Sequence, residues 1–256
     1  PARRTAAMGR LGMSVGAAFT VGPLLGALGA VTGFTTVALA GGALAAVAWL
    51  LAWRLPATRP AAVERAPREA RGTAPWALLV AVFAGMCALV GMETTVAFLA
   101  EHRFAAGPGF VGVLLCVAGL AMTLTQARPL TAGVRRWGER RMAVGSGLAM
   151  AAGLAAMPVA GVAGLVAAVA VVAAGQGLLA TTCTSLLSQT AAPARRGELL
   201  GQAQSAAAAA RLAGPVGAGA IYDLGVGLPF VAGAALAVVA ALAAGSSTAA
   251  VREVAR

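Results

Sequence analysis

The chain has 256 residues, of which 60% are hydrophobic and 11% charged, and its mean hydropathy is +0.86. A soluble domain carries about a quarter charged residues, so this composition excludes an ordinary soluble protein and indicates an integral membrane protein. In a soluble protein the net charge of +11 would favour a nucleic-acid partner. Here the arginines lie between long apolar runs, so we expect a lipid bilayer and no nucleic acid as partner.

Apolar runs predict an all-α membrane protein with eight transmembrane helices, because a bilayer core needs about 20 apolar residues per helix. The runs cover residues 11–31, 34–53, 76–99, 108–127, 143–159, 162–190, 199–221 and 227–247. A cleaved signal peptide is a weaker interpretation of the first run, which is longer than a signal's apolar core of about 7–15 residues.

The arginines predict an orientation. All nineteen basic residues are arginines; seventeen of them lie in every second connection or at the ends of the chain, and Arg103 alone lies in the other connections. By the positive-inside rule, both termini then lie in the cytoplasm of a cell-membrane protein. The lack of lysine and the abundance of alanine and glycine are typical of GC-rich codons, so we expect a bacterial source.

The sequence also repeats itself at an offset of 192 residues. Residues 1–4 match residues 193–196, and the Gly-Pro pair at 22–23 matches the pair at 214–215. Copies six spans apart with one orientation are expected of a duplicated six-helix unit. The predicted organisation has the last two helices of a truncated amino-terminal bundle at 1–54, a cytoplasmic linker at 55–75, and a complete carboxy-terminal six-helix bundle with a short tail at 76–256.

Two motifs resemble the major facilitator superfamily, in particular its drug:proton antiporter branch, which includes tetracycline-type efflux proteins. The first is similar to the antiporter motif of the family's fifth helix and consists of Gly22, Pro23 and Gly26, although Ala18 and Ala27 replace two of the motif's glycines. The resemblance covers nearly the whole chain and implies helices five to twelve of a twelve-helix fold, without the first four.

The second motif resembles the family's basic signature between its eighth and ninth helices. Arg135 replaces the aspartate of that signature and Thr131 its first glycine. The positions that match, for which the resemblance implies a cytoplasmic gating loop, are Arg136, Gly138, Arg140 and Arg141. Orientation signalling and lipid-headgroup contact explain these arginines as well.

The resemblance implies a secondary active transporter, most simply a proton-coupled exporter of small molecules whose two bundles rock around a central cavity. An importer of sugars or other metabolites has the same fold and differs in the direction of flux. A truncated remnant that does not transport is the third alternative. Nothing in the sequence predicts an enzyme, a cofactor or a metal centre, because no phosphate-binding loop, dinucleotide motif or ligand cluster is present.

Two ionisable residues lie inside predicted spans. Glu93 is the acid placed within a run, and buried carboxylates there are seldom kept without a pairing, proton-relay or substrate role. Arg211 is too deep in its run to reach the interface easily, so it needs a cavity or a partner. We consider Glu93 a candidate for proton coupling, a partner of Arg211 or an outer interfacial residue, and Arg211 a substrate-cavity candidate or a structural pair.

Uncharged polar residues complete the candidate cavity: Gln126, Gln176 and Thr181. Gln176 lies between two glycines, which leave space around it, and the family's tenth helix lines the central cavity. The alternative is structural, because polar residues in membrane helices often bond to their own backbone or to a neighbouring helix.

Overall fold

The computed structural model describes residues 32–54, 73–126, 128–190 and 195–247, together with residues 17, 18, 21, 22 and 25. These ranges hold eight α-helices, and none of their residues forms a strand. In chain order the helices are α1 (Phe34–Trp53), α2 (Thr73–Phe104), α3 (Pro108–Gln126), α4 (Arg128–Trp137), α5 (Glu139–Ala156), α6 (Val162–Thr190), α7 (Arg196–Tyr222) and α8 (Leu228–Ser246).

Five of these helices are long and apolar enough to cross a membrane, namely α1, α2, α3, α6 and α8. The expectation of an all-helical chain with several apolar helices of membrane-spanning length is therefore confirmed for the described residues. Two other predicted spans are also helices but are more polar: α5 begins with Glu139, Arg140 and Arg141, and α7 contains Arg211. Most of the predicted run at 11–31, and the linker predicted at 55–75 up to residue 72, lie outside the described residues.

The connection between α3 and α5 differs from the predicted loop because it contains the short helix α4. Gly138 then reverses the chain with a φ of 79°, a backbone conformation that glycine adopts without strain. As a result α5 starts at Glu139, four residues before the predicted start at 143. It ends at Ala156 rather than 159, because Pro158 has no backbone N–H to continue the helix.

Helices α2 to α8 pack into one bundle with small residues at the closest contacts. A Cβ on Gly214 of α7 would lie 3.1 Å from the carbonyl oxygen of Cys87 on α2, and a Cβ on Gly147 of α5 would lie 2.9 Å from the Cβ of Ala241 on α8. Membrane helices approach closely where side chains are small, since packing rather than the hydrophobic effect holds them together. Glycine therefore positions the helices that carry the candidate site.

The main interfaces of the bundle obey an exchange rule. The rule interchanges α2 with α6, α3 with α7, and α5 with α8. It converts the α2–α7 interface into the α6–α3 interface, and the α2–α8 interface into the α6–α5 interface. All four interfaces are present. The α5–α8 and α2–α6 interfaces map onto themselves. The directions of the helices follow from three contacts, α2 with α8, α8 with α5, and α5 with α6. In each contact, early residues of one helix meet late residues of the other, so each pair is antiparallel. Three antiparallel pairs in succession mean that α2 and α6 run in opposite directions.

Two buried apolar clusters fill the bundle, one toward each end. The first includes Met150, Leu154 and Phe230; the second includes Leu78 and Leu187. At one end of the bundle α2 and α7 begin and α3 and α6 terminate, and we call this the elbow end. The opposite end is called the Arg103 end. Helix α1 has no buried residue.

Candidate functional site

Glu93 lies on α2, eleven residues before the last residue of the helix, Phe104. The α2–α7 interface passes through Gly91, whose Cβ position is 3.3 Å from the Cβ of Ala218. Two residues along a helix correspond to a rotation of about 200°, so Glu93 points away from α7. Its side chain is half-buried, and it is therefore an ionisable group on the part of α2 that α7 leaves uncovered.

Arg211 lies on α7 and is exposed in the bundle. Its charge acts favourably on the Glu93 carboxylate, but no contact of 4.0 Å or less joins the two side chains. An ion pair of 3.2 Å joins Arg195 to Glu198 near the start of α7. Glu93 and Arg211 thus lie within range of each other's field without forming the contact pair that was one of the sequence-based alternatives.

Gln126 and Thr181 meet where α3 packs on α6. The Thr181 hydroxyl donates a hydrogen bond of 3.1 Å to Gln126 Oε1, and both residues are buried. The glycine at 177 makes room for the amide, since a Cβ there would lie 3.0 Å from Gln126 Nε2. That nitrogen has no hydrogen-bond partner in the described structure, which leaves one buried donor unsatisfied.

Gln176 lies at the midpoint of α6, about 21 Å of helix from either end. Its side chain faces α2, where a Cβ on Gly85 would lie 2.9 Å from Gln176 Oε1. This oxygen is buried and has no partner among the described residues. Gln126 on α3 and Gln176 on α6 therefore carry an unused donor and an unused acceptor, the two roles that an uncharged polar group can complement. The predicted set of Gln126, Gln176 and Thr181 is brought together along α6.

The basic motif forms the turn from α4 to α5. Gly138 precedes the first residue of α5, and its N–H donates to the carbonyl of Val134 at 2.9 Å. Arg136, Arg140 and Arg141 are exposed around this turn, and the Arg136 guanidinium lies 5.7 Å from the centre of the Trp137 ring. The structure thus places the predicted gating-loop residues together at the elbow end of the bundle.

Sequence reasoning missed Glu139, which joins the same turn to α6. Its Oε1 accepts a hydrogen bond of 2.8 Å from the Ser185 hydroxyl, and its Oε2 accepts one of 2.6 Å from Gln189 Nε2. The position of an acid in the first turn of α5 was a readable signal, because carboxylates stabilise the positive end of a helix dipole. The partners on α6, 46 and 50 residues away, could not be read from the sequence.

Arg103 has a structural role that its isolation in the sequence did not reveal. Its Nη1 donates to the carbonyl oxygens of Pro158 and Ala160 at 2.7 and 2.8 Å, and is 3.5 Å from that of Met157. These carbonyls follow α5, so the arginine caps the negative end of that helix. Arg103 is thereby bound to the protein.

A cavity of about 570 Å³ opens at the Arg103 end between α2 and α3, and its lining includes Ala97, Glu101 and Val111. Ala97 and Glu101 follow Glu93 at intervals of four residues, so all three lie along one side of α2. A second cavity of about 110 Å³ lies among α2, α7 and α8 and is lined by small residues. Neither cavity is lined by Gln126, Gln176 or Thr181.

The remaining predicted residues form no further site in the described chain. Gly22 has helical backbone with no atom near its Cβ position, whereas Pro23 and Gly26 lie outside the described residues. No group of three His, Cys, Asp or Glu side chains among the described residues could hold a metal ion. Comparison of the chain with known protein families finds no family model that matches it, and comparison with curated proteins finds no matching sequence.

Proposed function

We propose that this chain is part of a secondary active transporter of the major facilitator type that exports small molecules in exchange for protons. The observation that supports this most is the exchange rule, which relates helices α2, α3 and α5 to helices α6, α7 and α8, with α2 and α6 in opposite directions. Inverted three-helix repeats nested in a six-helix half are characteristic of this type of transporter. Substrate in such proteins is bound near the bilayer midplane and reached alternately from each side.

Glu93 is the proposed coupling residue. A carboxylate on an apolar helix is costly unless it has a use, and proton relay in transporters is a common one. Glu93 is half-buried, points away from the α2–α7 contact and has no contact ion pair in the described structure. Arg211 lies on the neighbouring helix α7 without a contact ion pair to Glu93, so an anionic substrate group bound at Arg211 would change the electrostatic field at Glu93 and link substrate binding to protonation.

Gln126, Gln176 and Thr181 are the proposed polar lining for substrate. They lie on α3 and α6, two helices without any charged residue, close to the middle of the 29-residue α6. Their unused hydrogen-bonding atoms favour an uncharged polar group of the substrate at this point. No cofactor is required, since the work is done by a gradient and a conformational change, and we propose no enzymatic reaction.

The proposed location is a bacterial cell membrane with both termini in the cytoplasm. The positive-inside rule supports it, because seventeen arginines lie on one side of the predicted spans. This orientation puts the elbow end of the bundle in the cytoplasm, where the basic turn at Arg136, Gly138, Arg140 and Arg141 has its proposed gating role. The Arg103 end then faces outward.

The test is flux through the full-length protein that contains this chain, reconstituted in vesicles with an imposed pH gradient. Ethidium and tetracycline serve as probe substrates, and the matched variants are Glu93→Gln and Glu101→Gln. We expect the first to lose gradient-driven flux while remaining folded, and the second, an exposed acid two helical turns away, to retain it. Unchanged flux in Glu93→Gln would remove this residue from the mechanism, and inward flux along the gradient would favour the importer.

A further inference from the structure

Residues 135–141, which we call the elbow, present four exposed arginines: Arg135, Arg136, Arg140 and Arg141. Within the described part of the chain no ion pair is found for any of the four, and the Arg136 guanidinium lies 5.7 Å from the centre of the Trp137 ring. Four unpaired guanidinium groups within seven residues repel one another and raise the local positive potential. Such an arrangement favours a polyanionic partner that supplies the missing negative charge.

The one acid of the elbow, Glu139, bonds to side chains of α6. Both oxygens of the Glu139 carboxylate are bonded on the opposite side, to Ser185 and Gln189 of α6. The bonds fasten the turn to the bundle and direct the negative charge inward. Glu139 therefore holds in place the turn that carries the arginines.

The elbow also lies at the boundary of the membrane-embedded part. It follows α3, a candidate span, through the short helix α4, whose Leu130 is buried in the bundle. Trp137 is 53% exposed at the end of α4, and tryptophan, like tyrosine, is enriched at membrane interfaces. An exposed tryptophan among exposed arginines at the end of a span fits the level of the lipid headgroups.

The Arg103 end offers a contrast within the same bundle. Arg103 is also exposed, but its guanidinium donates to backbone carbonyl oxygens that follow α5. Exposure alone thus does not make an arginine available to lipid. The elbow differs because its arginines lack any protein acceptor in the described structure.

We propose that the elbow binds the headgroups of anionic phospholipids in the adjacent leaflet, with the four guanidinium groups holding lipid phosphates and Trp137 at the level of the glycerol backbone. Guanidinium matches phosphate in geometry and charge, and each basic residue at an anionic surface strengthens binding by about fivefold. The inference depends on the membrane-embedded state of the chain and is independent of transport, so either can fail alone.

The experiment uses energy transfer from Trp137 to dansyl-labelled lipid in reconstituted protein. The chain's other tryptophans, Trp49, Trp53 and Trp76, are replaced by phenylalanine so that Trp137 is the single donor. Dansyl-phosphatidylglycerol and dansyl-phosphatidylcholine are compared at equal content in phosphatidylcholine vesicles. We expect severalfold stronger transfer to phosphatidylglycerol, with the excess falling as salt rises to about 0.5 M. Equal transfer to the two lipids would overturn the proposal.

Two variants locate the effect. In the first, the four elbow arginines are changed to glutamine; in the second, Arg59, Arg65, Arg68 and Arg71 are changed to glutamine, which removes the same charge from elsewhere in the chain. The excess transfer should vanish in the first and persist in the second. An equal loss in both would show that net charge alone attracts the lipid, against the proposal. A third variant with lysine at the four elbow positions should keep most of the excess, which separates loss of charge from loss of fold.

Discussion

The close approach of α5 to α8 gives a prediction whose sign depends on the tertiary structure. A Cβ on Gly147 would lie 2.9 Å from the Cβ of Ala241, 3.1 Å from its Cα and 3.2 Å from its backbone nitrogen. Carbon atoms in contact prefer about 3.5–4.0 Å, so Gly147→Ala must push the helices apart by roughly half an ångström or more. Because two of the three atoms are backbone, no side-chain rotation relieves the contact.

The expected magnitude combines two opposed effects. Overpacking a tight contact costs about 1–3 kcal/mol, while alanine in place of glycine inside a helix is favourable by about 0.8–1 kcal/mol. We therefore expect Gly147→Ala to lower the free energy of unfolding by up to about 2 kcal/mol. The matched control is Gly145→Ala on the same helix, where no atom lies within 4 Å of the Cβ position. It should raise stability by up to about 1 kcal/mol.

The assay is equilibrium unfolding of the purified chain in mixed micelles of dodecyl maltoside and dodecyl sulfate, followed by far-ultraviolet circular dichroism. The two variants should shift the midpoint in opposite directions from the unmodified protein. If Gly147→Ala is as stable as Gly145→Ala, then α5 and α8 do not meet at this point, and the exchange rule loses one of its interfaces.

Two further substitutions test contacts that the sequence did not reveal. Arg103→Gln removes the charged donor from the carbonyls after α5 and should lower stability by about 1 kcal/mol, whereas the neighbouring His102→Gln should leave the thermal midpoint nearly unchanged. Thr181→Val removes the hydrogen bond to Gln126 and should lower the free energy of unfolding by about 0.5–1 kcal/mol. Thr184→Val should change it by almost nothing, because the Thr184 hydroxyl bonds within its own helix. Equal thermal midpoints for the two threonine variants would contradict the α3–α6 contact.

Much of the secondary structure was predictable because the signal is local. The predicted span at 34–53 matches α1 residue for residue, and those at 108–127, 162–190 and 227–247 agree with helices to within one residue at each end. Errors occurred where local signals conflict. Charges at Glu139 to Arg141 moved the predicted start of α5 inward, although a helix accepts charges in its first turn.

The candidate site was predictable only as residue types. Glu93, Arg211 and Gln176 were singled out because polar side chains are rare within apolar runs, and the structure gives each a different setting: half-buried, exposed and fully buried. The contact between Thr181 and Gln126 joins helices 55 residues apart in the chain. No periodicity in either helix encodes that meeting.

Composition and apolar run length by themselves determined that this chain forms apolar helices long enough to cross a membrane. In a bilayer the backbone must satisfy its own hydrogen bonds locally, which makes such runs helical. Which helices pair, the exchange rule that relates them, the inward direction of Glu139 and the capping role of Arg103 were decided only by the tertiary structure. The reason is physical: apolar helices resemble one another along their length, and their partners are selected by shape at small residues such as Gly147 and Gly214, where a contact exists only once both helices are in place.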